Sequence, residues 1–109
     1  MVRHMSLFRM SPVPKNGKTT EENIASLKEQ LTLLPEKEPS ILGCRVLVGV
    51  DSPPDSSEDA PVVFTQLAHQ LDFKNHEDVV AYQDSHTYKE ILEFAKDMVD
   101  KVVAIDFEI

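Results

Sequence analysis

Val2-Arg3-His4-Met5-Ser6-Leu7-Phe8-Arg9-Met10 reads as a strand with two usable faces. Side chains alternate along a strand, so Val2, His4, Ser6, Phe8 and Met10 point one way. Arg3, Met5, Leu7 and Arg9 point the other. A strand in an antiparallel sheet with one wet face alternates cleanly between apolar and polar, and this one does not. Both sides therefore need cover. Helices supplied by the following segments suit one side, and a second copy of the chain suits the other.

Working outward, Ser11 to Lys18 holds two prolines and an Asn-Gly pair and reads as a loop. Thr19 followed three residues later by Glu22 is a capping-box signature. Ile24, Leu27, Leu31 and Leu34 then form one apolar helical stripe, which Pro35 is expected to end. A second strand is expected over 41–51. In it Cys44, Val46, Val48 and Val50 share one face. Residues 52–60, rich in proline, serine and acid, read as a mobile loop. A third strand is expected over 61–71, with Val63, Leu67, His69 and Leu71 on one side and Val62, Phe64 and Ala68 on the other. Asn75 caps a short helix carrying Val79, Val80 and Tyr82, and Ser85 starts another. The stripe of that last helix is Tyr88, Ile91, Leu92, Ala95 and Met98-Val99. A final strand over 101–107 carries Val103, Ile105 and Phe107 on one face. The order is βαββαβ, with the second helical region split in two. It predicts an α+β ferredoxin-like fold, a four-stranded antiparallel sheet with helices on one face.

The chain has 109 residues, which suits one domain over 1–109. Its net charge of −8 offers no basic stripe for nucleic acid or an anionic membrane. No apolar run approaches the ~20 residues that span a bilayer, nor is there an apolar segment of signal-peptide length after Arg3. A lone cysteine, Cys44, excludes an internal disulfide and suits a reducing compartment, so a cytoplasmic location is expected. Cys44 lies in an apolar run and reads as a small buried hydrophobe.

The parity that the helices leave open carries Met5, Leu7, Phe64, Ile105 and Phe107. Together they make an apolar patch too large for a monomer to leave wet, and a homodimer through the open sheet face is expected.

The opening Val-Arg-His-Met-Ser-Leu-Phe-Arg resembles the start of the stress-responsive A/B barrel (Dabb) family. Leu33-Leu34-Pro35, the stretch from Phe73 to Ala81-Tyr82-Gln83, and the ending Val102-Val103-Ala104-Ile105-Asp106-Phe107 continue the resemblance over about residues 2 to 108. It implies a ferredoxin-like domain that dimerises sheet to sheet into an α/β barrel. It also implies a range of roles, from stress-associated and defence proteins to a polyketide cyclase with a histidine and a tyrosine in a pocket between sheet and helices. By that resemblance His4 is the opening-strand histidine and Tyr82 the tyrosine. Where the family often has His-Pro-x-His, this chain has Ser85-His86-Thr87-Tyr88, so the cyclase's catalytic histidine position is Tyr88. The pocket aromatics of the cyclase's first helix fall at Asn23 and Ile24, with Leu27 beyond. The base and the pocket shape both differ, which argues against polyketide cyclisation.

The chemistry open to this chain is then sparse. His4 and His69 share the parity of Phe8, Val63 and Leu67, and a bare imidazole on a core face is a base, an acceptor or a metal ligand. With Tyr82 and Tyr88 they form the candidate pocket. A zinc site needs three protein ligands and no third is evident, so no metal is expected. There is no phosphate loop, no cysteine pair and no Ser/His/Asp set with elbow glycines, and no cofactor is expected. His76 and His86 fall near helix starts and read as surface residues. The expectation is a homodimeric, stress-associated or small-ligand-binding protein without strong catalysis. The alternative is a cyclase-like lyase or monooxygenase-like enzyme with an open cavity beside His4.

Overall fold

The computed structural model describes residues 1–49 and 67–109. The expected mobile loop at 52–60, and Val62, Val63, Phe64 and Gln66 of the expected third strand, lie outside the described residues. The elements are β1 (Val2–Met10), α1 (Thr20–Thr32), α2 (Leu34–Lys37), β2 (Gly43–Val48), β3 (Leu67–Phe73), α3 (His76–Gln83), α4 (His86–Ala95) and β4 (Val99–Glu108). The four strands form one antiparallel sheet in the order β2-β3-β1-β4. This is the ferredoxin-like α+β arrangement, and the sheet is open rather than closed on itself.

β1 lies between β3 and β4, so both of its backbone edges are paired. One of its faces is core. His4, Ser6, Phe8 and Met10 are buried, and Phe8 and Met10 join Leu67, Leu71 and Phe73 from β3, Leu27 and Leu31 from α1, Val79 and Tyr82 from α3, and Ile91 and Ala95 from α4 in one cluster. The helices supply to this face what the strands alone lack.

The capping signals act where they stand in the chain. The Thr19 hydroxyl accepts from the Glu22 amide, and the Glu22 carboxylate accepts from the Thr19 amide, closing a capping box on α1. Asn75 caps α3 and Ser85 caps α4 by the same kind of bond.

Four boundaries differ from the expectation. Pro35 does not end the helical path. α1 stops at Thr32, and Pro35 sits in the first turn of the separate helix α2. Proline is tolerated there because its missing N–H would have no intrahelical partner. β2 is shorter, ending at Val48 within the described residues. β3 continues two residues past Leu71, because Asp72 and Phe73 pair with Arg3 and Val2. Met98 and Val99 do not extend the α4 stripe. The Ser11 amide bonds to the Met98 carbonyl and Val99 pairs with Met10, so pairing with β1 draws them into the sheet.

Among the described residues, no helix covers the other face of the sheet. Register places Leu47, Ala68, Leu7 and Val103 in one row across the four strands, then Arg45, Gln70, Met5 and Ile105 in the next. Phe107 follows beside Arg3. Leu47, Val103, Ile105 and Phe107 are 41–50% exposed. Arg3 forms a bidentate pair with Asp72 (2.8 and 3.2 Å) at one end, and Arg9 reaches Asp100 (2.9 Å) at the other. An apolar centre is thus bracketed by two ion pairs.

Candidate functional site

His4, Ser6 and Phe8 point from β1 toward the helices, and Leu71 and His69 of β3 stand opposite His4 and Ser6. The two histidines are therefore one step apart along the strands, with Ser6 beside His69. His4 and His69 are each 3% exposed. Tyr82 comes down from α3, its ring 5.6 Å from Phe73 and 5.2 Å from Tyr88, with the His4 ring edge-on at 6.4 Å. Leu31, Ile91, Leu92 and Val102 complete the walls around a small cavity of about 30 Å³. All four pocket residues singled out in the sequence, His4, His69, Tyr82 and Tyr88, line it. Its scale is that of a single water molecule. Leu92 and Val102 are each 45% exposed and line it on the solvent side.

Two further residues complete the polar set. Asp106 is the β4 neighbour of His4, and its Oδ1 lies 2.5 Å from His4 Nδ1. A carboxylate only accepts, so Nδ1 carries the proton. The other ring nitrogen, Nε2, lies 3.4 Å from the Ser6 hydroxyl. In the neutral ring Nε2 is then an oriented acceptor on the cavity side. Ser6, His4 and Asp106 form a hydroxyl–imidazole–carboxylate chain. The sequence reading missed it because the elbow glycines sought there belong to another architecture. The available signal was parity: Asp106 is a carboxylate on the opposite face of β4 from Val103, Ile105 and Phe107.

His69 is held differently. Burial, reinforced by the nearby His4, pushes its pKa down to about 4. Its Nε2 lies 3.6 Å from Cys44 Sγ, which is 3.7 Å from the Leu31 carbonyl. Cys44 is half-buried, and burial pushes its thiol up, away from the thiolate a nucleophile needs. Burial, then the neighbouring Tyr88, Glu38 and Cys44, raises Tyr82, so its phenol keeps its proton. The cavity is thus built from uncharged donors and acceptors beside one carboxylate-anchored imidazole.

His76 and His86 are 65% and 87% exposed. His86 pairs with Glu90 one turn on, at 2.6 Å. Among the described residues no group of three or more His, Cys, Asp or Glu is placed to hold a metal ion. Nor is any helix among them long and apolar enough to cross a membrane.

Several solved structures share this fold. A dimeric ferredoxin-like protein of unknown function from Bacteroides fragilis is 21% identical, with a TM-score of 0.77 over 99% of this chain and 95% of that one. A second dimeric ferredoxin-like protein of unknown function, from Thermobifida fusca, is 21% identical, with a TM-score of 0.71 over 99% and 90%. The hydroxynitrile lyase of Passiflora edulis is 22% identical, with a TM-score of 0.68 over 99% and 92%. No curated protein matches the sequence significantly. The likeness to these structures is one of fold, whereas the family follows from the sequence itself. With residues 2–109 matching the stress responsive A/B barrel domain, the chain belongs to that family.

Proposed function

We propose that the protein is a homodimer that holds a small, uncharged polar molecule beside His4, and that it binds rather than turns over that molecule at high rate. The observation that carries this reading is the small cavity of about 30 Å³ next to an imidazole fixed by Asp106. A drug-sized or polyketide ligand needs a pocket of a few hundred Å³. A carbonyl or hydroxyl compound of a few heavy atoms needs only a modest widening of it, at the half-exposed Leu92 and Val102. Met5, Leu7, Ile105 and Phe107 supply the dimer surface, with Phe64 beyond the described residues. Burying each large apolar side chain contributes roughly 1.5–3 kcal/mol against the cost of association. Two open sheets packed face to face give the barrel for which the family is named, and the relatives from Bacteroides fragilis and Thermobifida fusca are described as dimeric.

Acetone, titrated while the histidine ring signals are followed by NMR, tests the pocket. The His4 and His69 signals should move while those of His76 and His86 stay fixed. Leu92→Ala should extend the response to benzaldehyde. Movement of all four alike, or of none, sinks the reading.

A lyase on the same site is the second reading, favoured by the acceptor geometry of His4 Nε2. Such a base would take the hydroxyl proton of a cyanohydrin as the C–C bond breaks, leaving a carbonyl compound and cyanide. Acetone release from acetone cyanohydrin, abolished in His4→Ala, would support it. A rate equal to that of buffer excludes it.

A further inference from the structure

Asp106 faces two imidazoles. Its Oδ1 takes the buried His4, and its Oδ2 lies 3.5 Å from Nε2 of His76. The side chains are 4%, 30% and 65% exposed for His4, Asp106 and His76 in turn, so the three run from core to water. His76 is the first residue of α3 and borders an open cleft of about 450 Å³ at the end of the sheet. Lys74, Asn75, Asp106 and Glu108 line the same cleft. Among the described residues, Asp106 is the one that borders that cleft and also bonds to an imidazole of the small cavity.

We propose that His76 is a positioning residue that acts on His4 through their shared carboxylate, so that events in the cleft set the acceptor strength of His4 in the cavity. This rests on the reading of His4 as the polar group of a ligand pocket. A neutral His76 at 3.5 Å draws little on Asp106. A protonated His76 forms a charge-assisted contact with Oδ2. That contact competes with Oδ1 for the same negative charge, loosens the bond to His4 Nδ1 and makes Nε2 a weaker acceptor. Other groups act on the two rings. Lys74 and Glu108 share the cleft with His76, Glu77 and Asp78 follow it on α3, and His69 and Tyr82 face His4 from the buried side. None of these touches both imidazoles, and Asp106 does.

The test follows the His4 Nδ1–H proton and the four ring Cε1–H signals by NMR across pH in the whole chain. In the wild type the His4 proton signal should show a step at the midpoint of the His76 titration. His76→Ala should remove that step, and so should His76→Gln, which keeps a neutral donor near Oδ2 but cannot titrate. His76 is exposed enough that neither change opens a hole in the core. The proposal is overturned if the step persists in either variant, or if the wild type shows none at the His76 midpoint. Acetone titration at fixed pH separates the two ideas. A retained pH step without an acetone response leaves the coupling standing and removes only the ligand reading.

Discussion

Burial holds the His69 pKa at about 4, well below its ordinary value, and this makes the fold pH-dependent. The unfolded chain takes up the proton near pH 6.5, the folded chain only near 4. Between those values the unfolded state binds more protons, so stability falls as pH drops through that window. The contribution lost by pH 4 is about 3 kcal/mol. Urea unfolding at pH 7 and 4.5 should show the loss in wild type, and His69→Gln should remove about one proton from the slope. An unchanged slope would mean that His69 is solvated. Asp106 is the second residue with a clear consequence. Asp106→Ala leaves the His4 Nδ1–H buried without a partner, which should cost about 1–3 kcal/mol in the same assay. Neither role is announced by spacing. Asp106 stands 102 positions from His4, and only β1–β4 pairing puts them side by side.

Among the elements, α1 depends most visibly on its first turn. Thr19→Ala removes the hydroxyl half of the capping box and should cost about 1 kcal/mol at neutral pH, read as a lower urea midpoint. Hydrogen bonds from Thr19 hold the Glu22 carboxyl below its usual range. The carboxylate half of the box accepts from the Thr19 backbone amide, so it stabilises above the ordinary Glu range and is lost as pH falls from there through the lowered folded value; the advantage of wild type over Glu22→Ala should therefore shrink in acid. An equal difference at pH 7 and pH 3 would show that the box contributes nothing through Glu22. The caps Thr19, Asn75 and Ser85 are legible in the sequence because each acts within three residues of itself. The break at Leu33 is not. Its cause is the fit of Leu34 into the core, where it is fully buried, on a short helix of its own.

For the molecule as a whole, the open face is the decisive feature. Ile105→Glu places a carboxylate in the middle of the Met5–Ile105 row, between Leu7–Val103 and Arg3–Phe107. Light scattering should find the wild type dimeric at micromolar concentration, and the variant monomeric or aggregated. A monomeric wild type would remove the sheet-to-sheet dimer altogether. Arg3–Asp72 and Arg9–Asp100 already meet their charges within the chain, so neither pair leaves a bare charge for a partner to neutralise.

Read alone, the sequence determined the strand parities, the caps and the βαββαβ order, because each is written in local periodicity or in a side chain bonding to its own neighbours. It also brought His4, His69, Tyr82 and Tyr88 under suspicion, since a polar residue on a core-facing parity needs a partner. The tertiary structure alone decided who that partner is. The sheet register sets Asp106 against His4, packing between sheet and helices leaves a cavity of about 30 Å³ beside it, and the turn into α3 brings His76 to the far oxygen of the same carboxylate. These contacts join strands and helices from opposite ends of the chain, and their geometry is fixed by packing, on which local periodicity is silent.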